Sequence, residues 1–549
     1  MQFRFHMASL KNLFKKNVNR LPQHPNKIRL LFILALILLG LGLSLGIAPY
    51  QLDDAYITYR YAANVIDGHG PVFNPGTEPV EGFSSPLWLL LLSLGALILG
   101  IPSLPLLGMA MGLTGFILCY GAMVFPFPKK GMIHEGLSLA NFSDLLPTLL
   151  LSVLPPAIFY SMTGMESLLF LAALLFFFKA LNRDIPIKWG LIAGFLACWI
   201  RPEGTWFLPA MVFLLLGRGE LKRIREKTNL LLAGSVVLGN VTLIGIRILV
   251  FKSLLPNTYF AKEPWLKAGW LYLLETMSGG WAIFLLLLAL LGILMGDRRH
   301  RGYFLAGLSW LIAVLIEGGD WMPAGRLLLP AFGLFLMASS GIFKNKLPLI
   351  SIRNKIPVKK VFSTVVLIIL LTAVLVNLTA SLDIQKKSQL SQNHSVFLEK
   401  VLADWVSKSG AHSIGSADIG IMGFYPRIEM VDFAGLTDTV IGRSPGFHLE
   451  KQFDLSYIFE LRKPDIILLR VSRKPEIYPN GRIKSRVKSG LENRIISHPD
   501  FRKTYHFLFA ILPSHPARPY YGKLVFGHNR FILEKQAIPQ DRVIYVSSK

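Results

Sequence analysis

The stretch "LLFILALILLGLGLSLGIAPYQLDDAYITYR", residues 30–60, decides how the rest of the chain is read. Residues 30–48 are apolar or small throughout, close to the ~20 residues that a membrane-crossing helix needs. Two adjacent carboxylates, Asp53 and Asp54, follow where the chain leaves hydrocarbon. Lys11, Lys15, Lys16, Arg20, Lys27 and Arg29 precede the run, and no small-residue cleavage site is evident in it. An uncleaved first helix is therefore expected, with its basic end in the cytoplasm and the two acids delivered outside.

The pattern recurs. Of 549 residues, 52% are hydrophobic and 17% charged, where soluble domains carry about 25% charged residues. Apolar runs continue to about residue 380, which makes the expected fold a polytopic α-helical membrane protein of about eleven transmembrane helices. Residues 1–29 read as a cytoplasmic basic N-terminus and 30–380 as the transmembrane part, with 50–85 its first outer loop. Residues 381–549 read as a soluble α/β domain outside the membrane, exported by a last helix over 361–380. Basic clusters at 218–227, 298–301 and 344–360 mark inner loops, leaving 251–279 and 317–326 outside. Between 86 and 216 six apolar pieces must supply an odd number of crossings. Either the two that flank "WIRPEGTW" form one broken helix or one piece does not span. In the tail, "PDIILLRV" (464–471) and "HSIGSADIGIMGFY" (412–425) read as strands and 396–408 as a helix.

The formal charge of +25 lies largely in loops between apolar runs. It suits topogenic and lipid-headgroup contact, and nucleic acid is not an expected partner. The two cysteines, Cys119 and Cys198, sit in apolar runs, so neither a disulfide framework nor a zinc site is expected. The histidines have no metal-ligand spacing.

Five polar islands interrupt the apolar pattern. In the first loop, Asp53 can cap a short helix over 55–65 with Asp54 in its first turn. On that helix Asp53, Ile57, Arg60 and Asn64 share a face. Glu81 lies further on, and Ser85-Pro86 reads as the start of the second membrane helix. The other islands are "SMTGMESLLF" with Glu166, "WIRPEGTW" with Arg201 and Glu203, "LPNTYFAK" with Asn257 and Lys262, and "EGGDWMPAGRLLLP" with Glu317, Asp320 and Arg326. Capping, an internal ion pair or a solvated loop would explain each island singly. Two adjacent acids repel, so burying both requires a cation, a set of hydrogen bonds or a proton. Together the islands can surround an outward-facing cavity in which a lipid phosphate meets Arg or Lys beside a carboxylate.

These stretches carry a resemblance. "LDDAYITYRYAANVIDGHGPVFNPG", "VEGFSSPLW", "TGMESLLF", "RPEG", "PNTYFAK", "GGDWMPAGRLLLPA" and "DIGIMGFYPRIEMVDFAGLTD" together resemble the bacterial terminal arabinofuranosyltransferases, integral-membrane glycosyltransferases of the GT-C class. The resemblance runs over about 51–438. It implies transfer of a sugar, arabinofuranose or another pentose or hexose, from a polyprenyl phosphate to a hydroxyl of a cell-envelope glycan or other acceptor. The reaction would invert the anomeric carbon, in the bacterial cytoplasmic membrane, with site and tail on the extracytoplasmic side. The acidic pair of the first outer loop then corresponds to Asp53 and Asp54, one of them the general base, with Asp53 slightly favoured. Arg201, Arg326, Lys262 and Arg60, in that order, are candidates for the donor phosphate. Glu81, Glu166, Glu203, Asn257 and Asp320 are candidates for sugar and acceptor. Glu81, Glu166 or Asp320 could instead hold a divalent ion, although no dense carboxylate cluster requires one.

The same motifs also resemble a membrane protein linked to flagellar motor control, which leaves a non-catalytic assembly or regulatory protein as an alternative. A transporter is the other. Against it, the two halves show no repeat, and the polar islands gather on one side of the membrane.

Overall fold

The computed structural model describes residues 25–124, 145–262, 265–343, 358–471, 476–477, 483–484, 487–511, 522–530 and 543–546. Most of the basic N-terminus and of the cluster at 344–360 lies outside them, as does part of the apolar region between 86 and 216.

Up to residue 391 the described chain is almost entirely helical. Among the described residues four helices are long and apolar enough to cross a membrane: Ile101–Val124, Lys227–Phe251, Pro323–Ile342 and Thr364–Ser391. A fifth span arises if Leu266–Ser278 and Trp281–Met295, bent by 87°, act as one. Arg29–Leu45, Pro86–Leu99, Ser167–Leu181 and Ile187–Ile200 are apolar but shorter. The chain is thus a multi-pass helical membrane protein, but these lengths do not establish the expected count of about eleven. One reason is visible at "WIRPEGTW". The Ile187–Ile200 helix stops where Arg201 turns extended ahead of Pro202, and a 3₁₀ turn precedes the Phe207–Arg218 helix. Proline cannot continue the hydrogen-bond ladder, and the residue before it avoids helical backbone. The bundle presents apolar side chains outward, Ile98 and Leu249 each 82% exposed, as a lipid-facing surface does.

The last long helix, Val358–Ser391, runs beyond the expected end at 380. The helix Phe397–Lys408 follows, then a six-stranded sheet. Its strands are β1 Ser413–Ser416, β2 Glu429–Asp432, β3 Ile466–Val471, β6 Tyr505–Ile511, β7 Gly522–His528 and β8 Val543–Val546. They lie in the order β2-β1-β3-β7-β6-β8, and β4 Glu476–Ile477 and β5 Ile483–Lys484 form a separate pair. β1 is parallel to β2 and β3, while β7 is antiparallel to β3 and β6. The strand expected over 412–425 is confined to β1. After Ser416 the chain turns into the short helix Gly420–Phe424.

Side-chain alternation sorts the sheet onto two cores. Ile466 and Leu468 of β3, with Val525 of β7, join one apolar cluster that runs unbroken into the helical bundle. Ile467, Leu469 and Val471, with Leu524 and Phe526, form a second cluster on the other face. The tail is therefore packed onto the membrane part through a shared core.

Candidate active site

The Asp53–Ile66 helix carries both acids of the opening stretch. Leu52 occupies its cap position, and neither acid caps it. The capping role expected of Asp53 is not what the fold uses. Its carboxylate instead accepts the backbone N–H groups of Gly420 (3.0 Å) and Ile421 (2.8 Å) in the tail. The face shared by Asp53, Arg60 and Asn64 lies along the tail from 420 to 430. Arg60 donates to the carbonyls of Phe73, Gly423 and Ile428 and to Asn74 Oδ1. Asn74 in turn joins Met430. At the helix end Asp67 pairs with Arg427.

Asp54 and Thr58, one turn apart on another face, look into a cavity of about 460 Å³, within the usual range for a small-molecule site of about 300–1,000 Å³. Glu166, Arg201, Glu203, Arg247, Lys262, Glu317, Asp320 and Arg326 also line it, as does Leu436 of the tail. Leu254, Leu255 and Tyr259 line the cavity while being 61%, 40% and 51% exposed. Thr205 and Glu317, also exposed, line it as well, so its open side is apolar in part.

Most of the cations in this cavity are already engaged. Arg201, buried, meets Glu166 at 2.6 Å and Glu203 at 2.5 Å. Arg326 pairs with Asp320 at 2.5 Å. Arg247 meets both oxygens of Glu81, with its Nε 2.8 Å from Oε2 and its Nη2 3.0 Å from Oε1. Lys262 lines the cavity with no carboxylate at ion-pair distance among the described residues. Burial raises the Asp54 pKa, while the charges of Lys262 and Arg326 pull it back down. Asp53 is pushed up to about 7 by burial and by Asp418 and Glu399, against the Ile421 N–H. A raised pKa alone would favour Asp53 as a base. A base must first reach its proton, however, and Asp53 does not line the cavity.

Of the residues expected at the site, the structure brings Asp54, Glu166, Arg201, Glu203, Lys262, Asp320 and Arg326 together around one space. Arg60 is a correction: it is 1% exposed, its guanidinium donates to four acceptors in the loop and tail, and it is not in the cavity wall. Glu81 and Asn257 also do not line the cavity. Glu81 neutralises Arg247, and Asn257 donates to the carbonyls of Gly435, Leu436 and Asp438, tying the "PNTYFAK" loop to the tail. Tyr56 and Tyr59, on the same helix as the two acids, are buried against Phe424. Arg247 was missed, although a lone arginine in the apolar run "GIRILVF" is the intramembrane charge that signals a partner or a site. No group of three or more metal-ligating side chains occurs among the described residues.

Three similarities to known proteins accompany this geometry. Residues 384–522 match a family described as "Domain of unknown function (DUF8728)". The chain is similar to the terminal β-(1→2)-arabinofuranosyltransferase of Mycobacterium tuberculosis (strain ATCC 25618 / H37Rv), 26% identical over 355 residues, or 54% of this chain and 53% of that protein. That resemblance is the one its motifs led us to expect, and the matched chain spans about half of that relative's length. Among solved structures it is similar to ArnT from Cupriavidus metallidurans bound to undecaprenyl phosphate. The TM-score is 0.48 at 14% identity, over 73% of this chain and 85% of that one. A likeness at that level carries no weight for site or substrate.

Proposed function

We propose that the protein is a membrane glycosyltransferase that moves a sugar, a pentose such as arabinofuranose or a hexose, from a polyprenyl phosphate to an acceptor hydroxyl. The similarity to an arabinofuranosyltransferase supports the class. The observation that carries the mechanism is that Asp54, a carboxylate outside any ion pair among the described residues, shares one cavity with Lys262. In this reading the acceptor oxygen attacks the anomeric carbon as Asp54 takes its proton. The bond from that carbon to the lipid phosphate breaks on the opposite side, which inverts configuration, and the polyprenyl phosphate leaves. Lys262, with Arg326 in the same cavity wall, stabilises the charge growing on the leaving phosphate. The exposed side chains of Leu254, Leu255 and Tyr259 in the cavity lining suit a lipid chain that stays in the membrane. Glu166, Glu203 and Asp320, held by their arginines, remain available as acceptors for sugar hydroxyls. In this reading the site lies on the extracytoplasmic side of a bacterial cytoplasmic membrane, which the distribution of basic loops supports, with a cell-envelope glycan or another hydroxyl compound as acceptor. The tail from 381 onward is an extracytoplasmic α/β unit in the same reading.

The test is sugar transfer by the purified protein from a polyprenyl-phosphate sugar. Asp54→Asn should lower kcat by about 10²–10⁴-fold, the usual contribution of a general base, while still binding the donor. Transfer at the wild-type rate would overturn the assignment.

A further inference from the structure

The tail segment "DIGIMGF", residues 418–424, reaches the Asp53–Ile66 helix at both of its glycines. A Cβ on Gly420 would stand 1.9 Å from the Asp53 carbonyl oxygen and 2.7 Å from its Cγ. A Cβ on Gly423 would stand 2.8 Å from Phe73 Cζ and 3.3 Å from Arg60 Cδ. At Gly420 only glycine lets the two backbones approach this closely. Behind the turn the tail is braced by ion pairs. Asp418 meets Lys523 of β7 at 3.3 Å and Arg470 of β3 at 3.2 Å. Lys523 also meets Glu399 at 2.6 Å, and Arg470 meets Glu492 at 3.1 Å. Two strands and two helices of the tail thus converge on one short turn, and that turn ends on the carboxylate next to Asp54.

We propose that Asp53 is a positioning residue: by holding the Gly420 and Ile421 N–H groups it locks the tail onto the helix that carries Asp54, and so sets where Asp54 enters the cavity. Adjacent helical residues point about 100° apart. One of the two acids can therefore be spent on the tail while the other faces the substrate. This assignment rests on the reading of Asp54 as the base. It divides the acidic pair into a docking acid and a reacting acid, and it makes the tail part of the active site through contact rather than chemistry.

The experiment pairs two variants that break the contact from opposite sides, Asp53→Ala and Gly420→Ala. It measures amide hydrogen exchange over 418–424 and transfer kinetics in the full-length protein. Both variants should speed exchange in that segment by about tenfold or more. Both should lower kcat by about 10–100-fold, the effect of an ångström-scale misplacement, with donor KM changed less than about twofold. Asp53→Asn, which keeps one acceptor oxygen, should fall between wild type and Asp53→Ala in both readouts. The Gly420→Ala result matters most, because it leaves both acids intact. Asp53→Ala that abolishes transfer while leaving exchange unchanged would overturn the proposal in favour of a chemical role. Gly420→Ala with wild-type exchange and turnover would overturn it too. If Asp54→Asn disproves transfer chemistry, the exchange measurements still decide whether Asp53 holds the tail.

Discussion

At the scale of single residues, the decisive property of a charge here is whether it is already paired. Arg201 is buried in the cavity wall, but Glu166 and Glu203 flank it. Removing it would strand two acids in a low-dielectric wall, a change that costs about 3–5 kcal/mol when a buried pair is broken. Lys262 faces the same cavity without such a partner among the described residues, so its charge is free to meet a ligand. The two cations should therefore separate experimentally. Lys262→Gln should keep the thermal stability of wild type yet weaken binding of a polyprenyl phosphate by about tenfold, the scale of one charge-assisted contact of about 1.5 kcal/mol. Arg201→Gln should lower the melting temperature first. Equal donor affinity in Lys262→Gln and wild type, measured by titration in detergent micelles, would remove Lys262 from the phosphate site.

At the scale of elements, close helix contact shapes the cavity wall. The Ile187–Ile200 and Lys227–Phe251 helices meet at Gly239, where a Cβ would lie 2.0 Å from the Phe195 carbonyl oxygen. Trp199 Nε1 donates to the Gly239 carbonyl at 3.0 Å and bolts the contact. Cys198 on one helix, and Asn240, Leu243 and Arg247 on the other, line the cavity. Gly239→Ala should therefore destabilise the protein by about 1–3 kcal/mol, as overpacking does, and move one wall of the site. A melting curve indistinguishable from wild type would show that the helices can part without loss. The hydropathy pattern marked both helices because an apolar run is a local property. It could not mark their pairing, because the side chains of lipid-facing and helix-facing positions are equally apolar.

At the scale of the whole molecule, the tail and the membrane part behave as one packed body, and pH should expose their junction. Burial, with Asp418 and Glu399 nearby, pushes Asp53 up to about 7. Burial likewise pushes Asp432, in the tail, up to about 6, with Asp438 adding to the effect. An acid raised in the folded state holds its proton where the unfolded chain has lost it. Its contribution to stability is therefore full below the unfolded pKa and falls as pH rises through the folded one. Between about pH 4 and pH 7 the wild type should lose melting temperature relative to Asp53→Asn, whose side chain does not titrate. Parallel curves for the two proteins over that window would contradict the electrostatic setting of Asp53.

Much of this architecture follows from local pattern. Apolar runs of helical length, charges that interrupt them, Pro202 after Arg201 and the short apolar run "IILLRV" each act through neighbours in the chain. They specified a multi-pass helical protein, the polar islands that line its cavity and a strand in the tail. The different placement of Asp53 and Asp54 was beyond local pattern, and so was the burial of Arg60. Both depend on where residues 418–430 dock, more than 350 positions further along the chain. Only the tertiary structure decides which face of the Asp53–Ile66 helix meets the tail. Once that face is taken, the helical turn between adjacent residues leaves Asp54, and not Asp53, in the cavity.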